Sequence, residues 1–350
     1  MTEIQHTDTD AHTGTPAPDE TEDERMTVEH LDIGHPEAFH GLPVFTLPSS
    51  SKTPQASPLP APDSVAWRLE YPDDSDFPGL WKRFLGSVDT SRVRALLIGP
   101  WWDDEYSPLH PVLELLVSDA GLFPQLRGLF LADVTGEECE VSWLPMCDIT
   151  PVFEAFPLLE ELVVRGCGDE AAEGEALRLR PVTHRALKSL RFESGGLPGH
   201  VVRALGASDL PALERLELWL GTQWYGGDAT VEDLRPVLSG NAFPRLRHLG
   251  VQNSEIQDEI AVAVASAPVV AQLDSLALSM GTLGDTGARA LLEGQPLTHL
   301  TWLDLHHHYL GEALVDRVRA LCAAAGVRVD LAGPDYWDPE DEERYVVVSE

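Results

Sequence analysis

Three features of the sequence predict an α/β solenoid, a curved parallel sheet on the concave face with helices on the convex face. First, an apolar triplet spaced L-x-x-L-x-L recurs as Leu126/Leu129/Leu131, Leu159/Leu162/Val164, Leu187/Leu190/Phe192, Leu213/Leu216/Leu218, Leu246/Leu249/Val251, Leu273/Leu276/Leu278 and Leu300/Leu303/Leu305. Val93/Leu96/Ile98 fits as an eighth unit at the front. Second, the first positions of successive triplets lie 33, 33, 28, 26, 33, 27 and 27 residues apart. That is the period of strand-turn-helix units, which bury their apolar faces only by stacking. Third, the last two complete units carry a helical pattern after the triplet, as in Ala288, Ala290, Leu291 and Leu292 behind Asp285, a good N-cap type. This is the leucine-rich-repeat pattern, and it predicts a solenoid over residues 93–331.

The remaining elements follow in chain order. Residues 1–25 read as an acidic, disordered leader, and Met26 is an alternative start. Residues 26–92 read as an N-terminal segment, linker and cap. Phe39 to Phe45 reads as extended, and Pro48, Pro54, Pro58, Pro60 and Pro62 mark a linker or surface loop. Val65 to Glu70 alternates like a strand, and Leu80, Trp81, Phe84 and Leu85 give one helical face. A solenoid needs such a cover over its first repeat. Two repeats are stretched. Glu137 to Trp143 reads as an extra strand, and Gly221 to Asp228 as a long loop. Residues 332–350 form an acidic tail that ends in the apolar run Tyr345-Val346-Val347-Val348, which either docks on the last repeat or stays free.

The charge is one-sided, with 24 Lys and Arg against 58 Asp and Glu and a formal net charge of -34. Nucleic acid and anionic membrane surfaces are repelled by such a chain and are excluded as expected partners. Cys139, Cys147, Cys167 and Cys322 form no C-x-x-C pair and are too scattered for a disulfide framework. No run approaches the roughly 18 apolar residues of a membrane span. These features predict a cytoplasmic protein.

The runs Glu138-Cys139-Glu140-Val141-Ser142-Trp143, Glu193-Ser194-Gly195-Gly196-Leu197-Pro198, Leu216 to Thr222 and Leu303-Asp304-Leu305-His306-His307-His308 resemble an uncharacterised bacterial family of cytoplasmic leucine-rich-repeat proteins, common in actinobacteria. The resemblance covers about residues 27–350. It implies the repeat fold and a cytoplasmic location, and it brings no activity and no catalytic residue.

Strand alternation decides which side chains face outward. On the concave strip it places the basic residues Arg127, Arg165, Lys188, Arg191, Arg215 and Arg247. The acids there are Asp133, Glu160, Glu161, Glu193, Glu214, Glu217, Asp274 and Asp304. This strip is close to neutral within a very acidic chain, which suits matched contacts with a polar partner. Phe130, Trp219 and Trp302 take outward strand positions, and Trp224 and Tyr225 lie in a loop just beyond a strand. Aromatic rings of this kind dominate binding energy at interfaces. The expected function is therefore a non-catalytic scaffold for a protein or peptide partner, without a cofactor. Its candidate binding residues are Phe130, Arg165, Arg191, Arg215, Trp219, Trp224, Tyr225, Trp302, Asp304 and His306.

One string carries metal-like chemistry. Asp304 and His306 lie two apart on a strand and share a face, with His307 beside them. A metal-assisted enzyme, or an accessory subunit of one, is the alternative function. His308 is expected to point inward and to replace the ladder asparagine of the repeat, bonding turn backbone. No nucleophile-elbow, phosphate-loop or dinucleotide motif occurs.

Overall fold

The computed structural model describes residues 33–48, 58–71, 76–102, 107–167, 176–333 and 344–349. The expected leader (1–25) and most of the expected linker and acidic tail lie outside these residues.

Among the described residues twelve strands form one sheet in simple sequence order. They are β1 (Ala38–Phe39), β2 (Leu42–Thr46), β3 (Ala66–Leu69), β4 (Ala95–Ile98), β5 (Gly128–Leu131) and β6 (Glu161–Arg165). Then follow β7 (Ser189–Glu193), β8 (Arg215–Gly221), β9 (His248–Ser254), β10 (Ser275–Ala277), β11 (Trp302–Asp304) and β12 (Arg328–Asp330). Only β1 and β2 pair antiparallel. From β2 onward every neighbour is parallel. The register places one column of apolar side chains across the sheet: Phe45, Trp67, Leu96, Leu129, Leu162, Leu190, Leu216, Leu249, Leu276, Leu303 and Val329. From Trp67 to Leu303 all are buried. Burying each such side chain contributes roughly 1.5–3 kcal/mol, and adjacent rows are bonded by the strand ladder. This is the architecture of a leucine-rich-repeat-type solenoid.

Parallel strands need crossovers, and helices supply most of them. They are α1 (Phe77–Ser87), α2 (His110–Ser118), α3 (Thr150–Ala155), α4 (Gly199–Gly206), α5 (Val231–Leu238), α6 (Gln257–Val264), α7 (Asp285–Glu293) and α8 (Glu312–Ala325). Their apolar residues, such as Leu80, Leu113, Val201, Leu234, Ile260, Leu291 and Val318, join the strand anchors in one core. One face of the sheet is thus covered by helices.

Three local expectations need correction. Glu137 to Trp143 holds no strand; Val141–Trp143 is a single 3-10 turn, with Thr135 and Glu138 bonded to each other ahead of it. Asp285 is the first residue of α7 rather than its N-cap, which is Gly284. The carboxylate of Asp258, one repeat earlier, accepts from Gly284 N at 2.8 Å and Gly287 N at 2.9 Å. Asp285 in turn accepts from Gly311 N at 2.9 Å, where α8 begins. At α7 and α8 orphan N–H groups are therefore satisfied by a carboxylate from the preceding repeat, whereas α1 and α5 are capped from within by Asp76 and by the Thr230–Asp233 box. Finally, the parallel ladder begins at β2, ahead of Val93. Its first two rows are anchored by Phe45 and Trp67 in place of leucine.

Candidate functional site

The helix-free face of the sheet divides into two halves. On β3 to β6 its side chains are Ala66, Ala95, Leu97, Phe130 and Val163, which form a second small core with Phe39. The β1–β2 hairpin lies over this half. Phe39 packs on Phe130 with ring centroids 5.9 Å apart, and His40 Nδ1 lies 3.0 Å from Glu161 Oε2. Gly128 is what lets the hairpin approach, since a Cβ there would fall 2.8 Å from His40 Cβ. Phe130 is 4% exposed and Arg165 4%, so neither presents a surface. This corrects their assignment as binding residues. Alternation does turn Phe130 away from the main core, but Phe39 of the distant hairpin covers it.

Buried charges sit at the strand ends of the sealed half. Arg165 Nε bonds Glu193 Oε2 at 2.7 Å, and its guanidinium stacks over Phe130 at 5.1 Å. Arg68 meets Asp133 at 2.9 Å, and His35 Nδ1 reaches the same carboxylate at 3.2 Å. Burial raises the Asp133 carboxyl to about 6, because Arg68 and Arg165 offset only part of its desolvation. Arg68 and His35 lie outside the leucine periodicity, and no local sequence signal pairs them with Asp133.

On β7 to β12 the same face is polar. Glu217 is ringed by Arg191 at 3.4 Å, Arg215 at 3.4 Å and His248 at 3.3 Å. His248 Nδ1 lies 2.7 Å from Ser275 Oγ. Burial works against charge on Glu217, but Arg191, His248 and Arg215 outweigh it and hold the carboxyl at about 2. The Arg191 side chain remains 38% exposed and that of Arg215 55%. Trp302 is half-buried, with the Arg328 guanidinium 4.8 Å from its ring centroid.

Asp304 and His306 face the same side, as their spacing requires, yet both are buried. That corrects their placement on an open surface. His306 Nδ1 lies 2.7 Å from Asp304 Oδ1, and Ser279 Oγ donates to Asp304 Oδ2 at 2.9 Å. Asp330 stands opposite Asp304 in the β11–β12 register. One donor atom from each of Asp304, His306 and Asp330 falls within 4.8 Å of the others. Burial disfavours charge on His306, but Asp304 and Asp330 overcome it and raise the imidazole pKa. His307, placed beside this pair from sequence, turns elsewhere: Nε2 lies 3.3 Å from Tyr345 O. His308 is fully buried, accepts from Leu310 N and meets Leu331 O. It takes the role expected of a ladder residue.

The strand ends form a rim, where each chain leaves the sheet through a tight turn. Asn253, Met280 and His307 occupy equivalent positions in successive repeats, 27 residues apart, all with left-handed backbone (φ 52°, 66° and 51°). That conformation costs a non-glycine residue about 1 kcal/mol or more. All three contact the segment 344–349, which crosses the rim. Trp219 belongs here too. It is half-buried and packs with Val141, Met280, Val347 and Val348, so segment contact explains its outward position. Beyond β8 the loop carries Trp224, 87% exposed, and the half-buried Tyr225. Trp143 is exposed beside Ser142 on the same rim.

No family model matches this chain, and no curated protein matches it. Among solved structures, the crystal structure of a Bacteroides fragilis protein from a structural genomics programme is similar, with 28% identity and a TM-score of 0.70. The match covers 78% of this chain and 76% of that one. Among the described residues no helix is long and apolar enough to cross a membrane.

Proposed function

We propose that this chain is a non-catalytic scaffold that holds a protein or peptide partner on the open half of the helix-free face and the adjoining rim. The observation that carries this reading is Trp224, a large ring 87% exposed beside a strip that offers Arg191, Arg215 and Trp302. Tryptophans are over-represented where binding energy concentrates at interfaces. The mixed charge of the strip suits a polar partner with some acidic groups, while the acidic exterior repels nucleic acid and anionic membranes. The buried cysteines form no disulfide, which supports a reducing cytoplasm, and the proposed kinship is with the actinobacterial-type repeat family. The test is affinity purification from the native host. A specific partner should co-purify, and Trp224→Ala with Trp302→Ala should cut its recovery at least tenfold without changing the melting point much. Full recovery by that double variant sinks the reading. Trp219→Ala is a poorer probe, because its ring packs on the 344–349 segment.

A second reading, a metal-assisted enzyme or an accessory subunit of one, draws on the Asp304–His306–Asp330 cluster. Two carboxylates stand side by side on adjacent strands with one imidazole close to both, a donor set that suits a divalent transition ion. Like charges so placed repel, and a cation would relieve that. Stoichiometric metal in untagged protein, lost in Asp330→Asn, would move the function there.

A further inference from the structure

Residues Arg344 to Ser349 run across the rim and cross the repeats in reverse order. Tyr345 meets Tyr309, Val347 meets Met280, Val348 meets Asn253, and Ser349 meets Ser142. Most of the polar contacts are to the segment's backbone. Tyr309 Oη donates to Tyr345 O at 3.0 Å and accepts from Tyr345 N at 2.8 Å. Val347 N donates to Met280 O at 2.9 Å. The Asn253 carboxamide grips Val348 at both ends: Nδ2 donates to its carbonyl at 2.6 Å, and Oδ1 accepts from its N–H at 2.9 Å. Ser142 Oγ donates to Ser349 O at 2.7 Å. Side-chain selection is narrow. Val346 and Val348 are buried while Tyr345 is 66% exposed. Gly195 makes room for the far end, since a Cβ there would fall 2.6 Å from Ser349 O.

Backbone bonds for affinity, with pockets for alternate side chains, are how proteins recognise extended peptides. Here the recognising groups come from four repeats (Ser142, Asn253, Met280, and His307 with Tyr309), and three of them, Asn253, Met280 and His307, stand on left-handed backbone. We infer that the rim is a binding groove for a short peptide that bends between two small β-branched residues, as residues 344–349 do at Val347, and that residues 344–349 are its resident occupant. The inference rests on the scaffold reading above and names the form the partner takes. A partner peptide with the same spacing competes with the chain's own segment, so occupancy of the groove is regulated from within the molecule.

The test uses the full chain with Val346→Asp and Val348→Asp, which spoil the resident segment and leave every groove residue intact. A fluorescent synthetic peptide with the sequence of residues 344–349 is the probe. It should bind this variant at least tenfold more tightly than the wild type, and adding Asn253→Ala should return binding to the wild-type level. Equal binding to variant and wild type, with the variant folded, overturns the inference. If the variant fails to fold, amide exchange in the wild type decides. The Val347 and Val348 amides should exchange at least a hundredfold faster than those of Leu216 and Leu249. Equal rates would make the segment a permanent part of the fold and overturn the inference. Should peptide binding fail while the Trp224/Trp302 variant still loses its partner, only the groove falls.

Discussion

The two halves of the helix-free face have the same backbone and opposite chemistry. On β3 to β6 the outward positions are apolar or small, and the β1–β2 hairpin seals them. On β7 to β12 the equivalent positions hold Arg191, Arg215, Glu217, His248 and Trp302, and much of that surface stays in contact with water. The charges diverge in the same way. Asp133, sealed, is pushed up to about 6, whereas Glu217, ringed by cations, is held at about 2. In a solenoid the strand ladder and inner anchors fix the fold, leaving the outer row free to build either a second core or a recognition surface.

The largest expected effect breaks the sealed half. Phe130→Ala should cost about 3–5 kcal/mol, because the Phe39 ring loses its partner and a cavity remains. Trp302→Ala, at the equivalent face of the open half, should cost about 1 kcal/mol or less. Denaturant titration of both variants checks this. Similar losses would remove the distinction between the halves.

Next is Glu217→Gln. The folded carboxyl titrates below its ordinary value of 4.5, so its stabilisation is present above pH 4.5 and is lost as pH falls toward 2. A shift of that size corresponds to roughly 3 kcal/mol. The variant should be less stable than the wild type at pH 7, with the gap closing in acid. A gap independent of pH would contradict the assigned role of Arg191, Arg215 and His248.

Asp133 has the opposite sign. Its folded value lies above the ordinary 3.8, so its contribution is fully present below about pH 3.8 and is lost as pH rises through about 6. Relative to Asp133→Asn, the wild type should lose roughly 2–3 kcal/mol across that window. Thermal melts of both proteins from pH 4 to 7 measure it. Parallel curves would place the carboxyl in a wetter setting than the sealed half allows.

Legibility in the sequence followed range. Leu216, Leu249, Leu276 and Leu303 announce themselves by spacing and pair as that spacing requires. The alternation that turns Phe130, Arg215 and Trp302 outward is equally local. Whether an outward residue meets water is not local. Phe130 is covered by a ring 91 positions earlier in the chain, and Trp219 by valines more than 120 positions later. The first two strands are legible as extended segments but not as rows of the ladder, because Phe45 and Trp67 replace leucine and a proline-rich stretch separates them. Asp330 escaped because its link to Asp304 is a cross-strand register, visible only once β12 is aligned on β11. His308 was legible because it stands at the ladder position of the repeat, where its bond from Leu310 N lies within one turn.

Hydroxyl-radical footprinting of the free protein tests the division of the face most directly. Trp224 and Trp302 should oxidise rapidly, while Phe130 and Phe39 react at rates close to that of the fully buried Trp67. Oxidation of Phe130 as fast as Trp302 would mean that the hairpin does not seal the first half, and the contrast between the halves would be lost.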